Sequence, residues 1–537
     1  MTVKRTPKRF WAWSALAGVV SAGAFLASAE LVALVVAREG SPILAVGSFV
    51  IDIVPRWAKE FAIETFGAND KLFLLLGLAV GVVVAAAVAG VLQFLRPPLG
   101  VVALGLAGVL SVAAIVTRAG ATPFASVPPI VGTVVGAVLL WLMVKRLRAW
   151  RDAVAAGPAA ARPAVAPASA EQEGAQAPAR APVDRRRFLV LLAITGASAV
   201  IVGVGSRVVN ATTSSIAAVR RALKLPAPGS TVVVPPGAEL DVPGISPLFT
   251  ANKDFYRVDT ALTVPAIDPS TWRLTIDGMV DEKVELSFDD LVGMGLDEFA
   301  ITLTCVSNEV GGDLLGTAKW LGIPVRTLLE KASPKSGADM VLSRSIDGFT
   351  ASTPLESLTD PNLDAILAVG MNGEPLPLEH GFPVRMVVPG LYGYVSATKW
   401  LTQLTVTTFA ADEAYWTPRG YSAKAPIKFS SRIDTPRLDA AISAGPTKIA
   451  GVAWAQTVGI QQVEVKIDDA DWQPATLSVP VNVDTWVQWY LDWEATTGTH
   501  YVTVRATDGN GRRQIEERAP IAPDGSSGLQ KTLIRVS

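Results

Sequence analysis

Four long apolar runs near the start of the chain limit what it can fold into. They lie at residues 10–36, 72–95, 99–116 and 130–144. Each is long enough, or nearly so, to cross a hydrocarbon core of about 30 Å as a helix. Hydrophobic residues make up 50% of the 537 residues, which is high for a soluble protein, and the excess lies in this part. We therefore predict four transmembrane helices within residues 1–151.

Charged residues at the ends of these runs predict their orientation. Basic residues precede the first run, Arg96 separates the second from the third, and residues 145–151 after the fourth are rich in Lys and Arg. Because basic loops favour the cytoplasmic side, both the N-terminus and the segment after the fourth run are expected there. Glu30 lies inside the first run, and it either has a function or sits near the outer interface.

A change of composition follows the fourth run. Residues 152–184 are rich in Ala, Pro, Gly and Gln, which predicts a flexible cytoplasmic linker. Arg185 and Arg186 then open an Arg-Arg-Arg-Phe-Leu sequence before another apolar stretch. This sequence resembles an internal twin-arginine export signal, and the alternative is a basic flank that obeys the same charge rule. In either case residues 185–206 predict a fifth transmembrane helix that delivers the rest of the chain to the outer face.

The remaining residues, 207–537, are too many for one small core, and we expect two domains. Residues 207–434 mix short strands, such as 341–344 and 383–388, with helical pieces such as 321–331. Residues 435–537 alternate apolar and polar side chains, for example at 462–467 and 500–505, between Asp/Gly turns. The chain therefore predicts a multi-domain protein: an α-helical membrane region, an α+β domain and an antiparallel β-sandwich.

Charge and cysteine content exclude several classes of function. The net charge is −1 without a basic face, which gives no footprint for nucleic acid. A single cysteine excludes a disulfide framework, a Cys-rich zinc site and an all-cysteine iron–sulfur cluster. The two histidines, His380 and His500, lie outside the apolar runs, so no bis-histidine haem is expected there. We expect no haem or Fe-S group in this chain, and any redox activity would need a separate electron-transfer partner.

Cys305 lies where a strand-like run meets a glycine-containing loop. A lone cysteine is usually a small buried hydrophobe. However, Cys305-Val306-Ser307-Asn308 and residues 316–322 resemble the core signature of the sulfite oxidase family of molybdenum enzymes. Segments 371–377, 380–385, 388–390 and 399–401 resemble that family's pterin-binding half. Segments 451–455 and 463–465 resemble its immunoglobulin-like dimerisation domain.

This resemblance covers about residues 247–536 and implies a molybdenum-molybdopterin cofactor. It implies a molybdopterin-binding domain at 207–434, and an immunoglobulin-like sandwich at 435–537 through which a homodimer would form. Cys305 would be the metal ligand beside the two dithiolene sulfurs of the pterin, a donor set that suits molybdenum. The catalytic residues implied are Cys305, Tyr421 and Arg257, and the cofactor-binding residues implied are Asn252, Tyr256, Asp347, His380, Arg385 and Lys399.

Each of these positions also has a structural alternative. His380 and Asp347 each precede a glycine, as turn residues often do. Arg385 would otherwise be a charge at a strand edge, Arg257 a surface arginine and Tyr421 a tyrosine that caps a loop.

The chain departs from the family pattern at the substrate pocket. Glu309 and Val310 stand where the family's sulfite oxidases have two arginines, and a further substrate arginine is replaced around Gly459 and Ile460. A pocket that holds Glu309 would match a sulfite dianion poorly. The sequence therefore predicts a retained cofactor site with a substrate such as a sulfoxide or another sulfur compound, or sulfite in a modified pocket.

Together these features predict an oxidoreductase anchored in the cell (plasma) membrane by several helices, with its catalytic domain extracytoplasmic. Its small-molecule substrate would exchange an oxygen atom at the molybdenum centre. A cytochrome or a quinone-linked membrane subunit would carry the electrons. The alternative is a non-catalytic, membrane-anchored receptor or binding protein with a degenerate enzyme domain.

Overall fold

The computed structural model describes residues 8–36, 70–116, 123–156, 183–208, 211–261, 263–437 and 441–537. The chain divides into two compact units, Met1–Thr212 and Thr213–Ser537, and each has its own packing. Most of the predicted linker and the basic residues before Lys8 lie outside the described residues.

The N-terminal unit is helical. Its helices are α1 (Lys8–Val35), α2 (Asp70–Leu95), α3 (Leu99–Val116), α4 (Val127–Ala156) and α5 (Val183–Val208), with a 3₁₀ turn at Pro123–Ser126. In the described part of the chain, four stretches are long and apolar enough to cross a membrane: Arg9–Ala33, Leu76–Leu95, Leu99–Val116 and Phe124–Ala155. The four predicted apolar runs are thus confirmed as helices. Helix α5 forms over the predicted fifth segment, and its membrane crossing stays a prediction.

Helix α4 extends to Ala156, five residues into the predicted linker of 152–184. The extension follows from packing near its end, where Leu147 is fully buried and Trp150 is 9% exposed. The Trp150 ring lies edge-on to Phe10, with ring centroids 5.2 Å apart, and 6.2 Å from the ring of Phe188 on α5. Such contacts stabilise the helix beyond the point where its composition changes.

Helices α1 and α2 approach each other closely at two glycines. A Cβ atom added at Gly18 would meet the Ala86 carbonyl oxygen, and one added at Gly90 would meet the Ser14 carbonyl oxygen. Small residues at such crossings are typical of helices that pack in a membrane, because backbone proximity then provides most of the contact.

The C-terminal unit contains α6 (Ala211–Ala222) at its start and two mixed or antiparallel sheets before the sandwich. The first sheet has the order β2-β1-β10-β5-β6, built from β1 (Arg273–Gly278), β2 (Val284–Ser287), β5 (Met340–Ser345), β6 (Thr350–Pro354) and β10 (Leu401–Thr407). The second has the order β3-β4-β7-β8, with β9 also paired to β7, from β3 (Asp297–Thr304), β4 (Leu315–Pro324), β7 (Ile366–Met371), β8 (Glu374–Pro375) and β9 (Arg385–Val387). Strand β1 is parallel to β10, and the other pairs are antiparallel.

Four short helices join these strands: α7 (Phe288–Gly293), α8 (Val325–Ala332), α9 (Leu355–Thr359) and α10 (Gly393–Ser396). The predicted strand 341–344 is confirmed within β5, and 383–388 contains the shorter β9. The helix predicted at 321–331 was wrong for its first four residues. These belong to β4, where Leu321 pairs with Gly370 and Ile323 with Leu367 of β7, and the helix begins only after Pro324.

The C-terminal part forms two four-stranded antiparallel sheets. Their orders are β11-β12-β16-β15 and β14-β13-β17-β18. The strands are β11 (Ser430–Thr435), β12 (Gly445–Trp454), β13 (Ile460–Ile467), β14 (Gln473–Pro474), β15 (Thr476–Leu477), β16 (Val487–Ala495), β17 (Gly498–Asp508) and β18 (Gln530–Val536).

One buried cluster, which includes Ile449, Val463, Trp489 and Val504, joins the two sheets into a sandwich. The strands predicted at 462–467 and 500–505 are confirmed in β13 and β17. Strand β11 crosses the predicted domain boundary between 434 and 435.

Candidate active site

A single cavity in the C-terminal unit brings together seven of the nine residues predicted for the site. Its empty space is about 930 Å³, including the solvent at its mouth. The predicted residues in its wall are Tyr256, Cys305, Asp347, His380, Arg385, Lys399 and Tyr421. They come from several separate loops and strand ends, which the two sheets hold in place.

Cys305 directly follows β3 and is 8% exposed. Its backbone N–H donates to the Leu314 carbonyl oxygen at 2.9 Å, which closes the loop between β3 and β4. Burial raises the pKa of the thiol, while the backbone N–H of Ser307, 3.4 Å from Sγ, and the charge of Lys399 act in the opposite direction. The thiol thus faces the cavity with a hydrogen-bond donor and a cation that favour its deprotonated form.

The sandwich holds this loop from the other side. The Ser526 hydroxyl donates to the Asn308 carbonyl oxygen at 2.8 Å, and the Arg432 guanidinium donates to the Gly312 carbonyl oxygen at 2.9 Å. The Asn308 side-chain oxygen accepts the Leu314 N–H at 2.9 Å. The position of Cys305 therefore depends on contacts from both halves of the unit.

Arg385 is a buried cation, 5% exposed, in the short strand β9. Its guanidinium donates only to backbone carbonyl oxygens, those of Met386, His380 and Ala397, at 3.2–3.5 Å. Within the described residues no carboxylate pairs with it, and burial lowers its pKa to about 10. A buried guanidinium without a counter-ion favours an anionic ligand in the cavity.

Lys399 is the second buried cation of the wall. Its ammonium group contacts Asp259 at 2.7 Å and donates to the Glu379 carbonyl oxygen at 3.1 Å. Burial lowers the pKa of Lys399 to about 8, although Asp259 opposes the shift. Asp259 also contacts Arg257 at 2.8 Å, so one carboxylate is shared by two cations.

His380 ends a 3₁₀ turn, Leu378–His380, and is 3% exposed. Its Nε2 lies 3.1 Å from the Asn252 carbonyl oxygen. Burial, and then the charge of Arg385, lower the pKa of His380 to about 4, so the imidazole is neutral near pH 7. Since a carbonyl only accepts, Nε2 carries the proton and Nδ1 is left as an acceptor.

Tyr256 and Asp347 complete the polar part of the wall. Burial, and then the nearby Cys305, raise the pKa of Tyr256, which keeps the phenol protonated and able to donate. Asp347 lies in the turn between β5 and β6, where its carboxylate accepts the Phe349 N–H at 3.2 Å. It thus acts as the turn residue that its Asp-Gly pair predicted and also lines the cavity.

Two predicted residues lie outside the cavity wall. Asn252 contacts the site indirectly, because its backbone carbonyl oxygen accepts a hydrogen bond from His380 Nε2. The side chain of Arg257 is 39% exposed and contacts Asp259, so it reaches the site only through the partner of Lys399.

The prediction that Glu309 lies in the substrate pocket was wrong. Its side chain is exposed, and neither Glu309 nor Val310 lines the cavity. Glu309 lies in the turn after Cys305 that Asn308 and Gly312 close, with the Gly312 N–H donating to the Glu309 carbonyl oxygen at 2.8 Å. In the wall itself Arg385 is the sole arginine, so a sulfite dianion would find few guanidinium groups there.

Sequence reasoning missed several residues of the wall. Asp259 is one, and the only signal was its position two residues after Arg257. The aromatic residues Phe349, Tyr394 and Trp416 also line the cavity. No local pattern marks these rings, because they come from three distant segments.

Comparison with known proteins identifies this part of the chain. Residues 261–416 match the oxidoreductase molybdopterin binding domain. The chain is 30% identical over 310 residues to mitochondrial sulfite oxidase of Macaca fascicularis, a match that covers 48% of this chain and 56% of the relative. It is 27% identical over 336 residues to sulfite oxidase of Gallus gallus, covering 53% and 72%. It is 27% identical over 318 residues to nitrate reductase [NADH] of Solanum lycopersicum, covering 47% and 35%.

Among solved structures, the sulfane dehydrogenase SoxCD from Paracoccus pantotrophus matches with a TM-score of 0.49 and 21% identity, over 57% of this chain and 86% of that one. The chain spans about half the length of the mammalian relatives that it matches.

The cavity and the matched residues define a molybdopterin-binding domain of the kind found in oxidoreductases. More particularly, this part of the chain is similar to sulfite oxidases.

The residues present fit the cofactor that the matched domain implies. Molybdopterin carries a phosphate, and the wall offers an unpaired buried guanidinium together with Lys399. A thiolate is one of the soft ligands that proteins offer to metals, and the chain's one thiol faces the same cavity. The neutral His380 can accept a hydrogen bond at Nδ1, and the carboxylate of Asp347 can accept hydrogen bonds from pterin N–H groups.

Proposed function

We propose that this protein is a membrane-anchored, outward-facing molybdopterin oxidoreductase that exchanges an oxygen atom with an uncharged sulfur compound. The observation that carries the proposal is that Cys305, the only cysteine, lines the same cavity as Arg385, a buried cation without a carboxylate partner. A binding protein with a degenerate enzyme domain would have no need for this pair.

When bound, the molybdenum–pterin group supplies two-electron chemistry coupled to oxygen-atom exchange. Arg385 and Lys399 would hold its anionic end, and Cys305 Sγ would bind the metal. The thiol proton must leave on binding, which the Ser307 N–H and the charge of Lys399 favour.

The remaining wall residues orient the cofactor and the substrate. His380, held by the Asn252 carbonyl oxygen, would accept a hydrogen bond at Nδ1, and the protonated Tyr256 would donate one. Tyr421 lies among half-buried rings of the wall, where its hydroxyl group can donate to the oxygen of a substrate. Burial of this wall limits water near the reacting atoms.

The charges of the wall support an uncharged substrate. Arg385 and Lys399 are the only Lys or Arg side chains in it, and the cofactor phosphate would use them. A sulfite dianion would then find no guanidinium of its own, whereas a sulfoxide needs only a hydrogen-bond donor at its oxygen. Electrons would come from a separate cytochrome or quinone-linked subunit, and the sandwich, which we take to be immunoglobulin-like, would form a homodimer.

Replacement of the thiol tests the proposal. The full chain purified from molybdate-supplied cells should contain stoichiometric molybdenum and pterin, measured by elemental analysis and by pterin fluorescence after oxidation. Cys305→Ser should lose the metal and the activity, while its thermal unfolding stays close to that of the parent.

Thiol labelling adds an independent measurement, because every labelled thiol in this chain is Cys305. Labelling should be slow in the loaded protein and fast after cofactor removal. Absence of molybdenum and pterin from the parent, or full metal content in Cys305→Ser, would contradict the assignment.

A further inference from the structure

Five aromatic rings form a continuous row along one side of the cavity. We call this row the aromatic belt, and it consists of Phe349, Tyr415, Trp416, Tyr421 and Tyr394. Successive ring centroids are 5.7, 5.2, 5.2 and 5.5 Å apart, and the planes are tilted or edge-on. All of its members except Tyr415 line the cavity.

Burial separates the belt from the cofactor-binding end of the cavity. Cys305, His380 and Arg385 are 8%, 3% and 5% exposed, whereas all four cavity-lining rings of the belt are half-buried. The belt is therefore the more exposed part of the wall, and the charged groups near Cys305 are the deeper part.

The belt also differs from the deep end in charge. The cations of the wall, Arg385 and Lys399, are deeply buried, and the belt itself is made of uncharged rings. A flat apolar group that covers half-buried rings removes apolar area from water, and aromatic rings pack favourably against one another. This surface suits an aryl group.

We propose that the substrate is an uncharged organic sulfoxide with an aromatic group next to sulfur, and that the aromatic belt binds this group. The proposal rests on the proposed function, since the sulfoxide oxygen must reach the cofactor held at Cys305. In the reducing direction the S–O bond breaks, and two electrons from the redox partner and two protons convert the sulfoxide to a sulfide and water. Phe349 and Trp416 then determine specificity by packing against the ring.

Equilibrium binding of unreactive analogues tests the proposal without turnover. Methyl phenyl sulfone and dimethyl sulfone carry the same sulfone group and differ only in the ring. For the loaded full chain in detergent, calorimetry should give a Kd at least about tenfold lower for the phenyl compound, because the ring adds buried apolar area. Equal Kd values in a molybdenum-loaded protein would overturn the proposal.

Variants of the belt assign the effect to its rings. Trp416→Ala and, at nearly constant volume, Phe349→Leu should each reduce the ratio of the two Kd values about threefold or more. Tyr415→Leu is the matched control, because Tyr415 belongs to the belt but does not line the cavity. A preference that survives both cavity variants, or that Tyr415→Leu abolishes equally, would show that the rings only stabilise the fold.

Molybdenum and pterin content, measured on the same samples, separates the two proposals. A preparation that lacks both groups contradicts the proposed function whatever its sulfone preference. A loaded preparation without the preference contradicts the aromatic belt alone.

Discussion

The helical N-terminal unit and the sheet-rich C-terminal unit distribute their apolar side chains in opposite ways. On α2 and α3, Val80, Leu106 and Val109 are 63%, 65% and 67% exposed, while small residues such as Ala17 and Ala29 are fully buried. In the C-terminal unit, Trp272 is buried and so are charged groups such as Arg385. High hydropathy therefore does not by itself mean burial, because the helical unit has the surface expected where lipid replaces water.

The largest predicted change is in the free energy of membrane insertion, and it should come from a charge placed on the apolar surface of the helical unit. Val109→Lys lies near the middle of α3, where lysine would cost about 3 kcal/mol of membrane insertion. Insertion efficiency in microsomes, measured by glycosylation mapping, checks this expectation. The matched control is Val233→Lys, because Val233 is 80% exposed in the C-terminal unit and its replacement should be nearly neutral. If both replacements had similarly small effects, the apolar surface of the helical unit would not differ from that of the C-terminal unit in its tolerance of charge.

The next largest predicted change is in cofactor retention, and it should follow removal of a charge from the interior of the sheet-rich unit. Arg385→Gln should weaken cofactor retention about 50-fold, since a charged donor to the phosphate is lost. Pterin content after gel filtration at increasing dilution measures this loss. Arg326→Gln is the control, because Arg326 donates to the Leu363 carbonyl oxygen and does not line the cavity. Unchanged retention in Arg385→Gln would mean that its burial serves packing alone.

The smallest effect concerns a carboxylate buried where β3 meets the sandwich. Asp484 is 6% exposed, its carbonyl oxygen accepts the Thr302 N–H at 3.0 Å, and its carboxylate accepts the Thr457 N–H at 3.0 Å. Burial raises the pKa of Asp484 to about 6, above its value in an unfolded chain. The protonated form is therefore the one that folding favours, and this stabilisation is present at about pH 4 and is lost as pH rises through about 6.

Asp484→Asn should remove the loss of stability that the parent shows as pH rises. Between pH 5 and pH 7.5 the free energy of unfolding of the parent should fall by about 1 kcal/mol relative to the variant, measured by denaturant unfolding in detergent. Asp492→Asn serves as the control, because it is the same replacement at a side chain that is 76% exposed. Parallel pH profiles for the parent and Asp484→Asn would place the carboxylate in a well-solvated environment.

Local pattern was sufficient where one property decides the structure. Length and apolarity predicted the four N-terminal helices, and period-two alternation predicted β13 and β17. It failed at 321–331, because pairing with β7 extends β4 through Pro324. It also failed at Glu309, since adjacency to Cys305 does not determine which way a loop side chain points.

By itself, the sequence determined which part of the chain is apolar and helical, that the protein has a single thiol, and which residues resemble a pterin site. Only the tertiary structure decided that seven of those residues share one cavity, that Arg385 has no carboxylate partner among the described residues and that Asp259 serves two cations. It also brought the rings of the aromatic belt together from segments around 349, 394 and 416. The physical reason is that net charge, burial and ring contact depend on long-range packing, whereas periodicity and length are local.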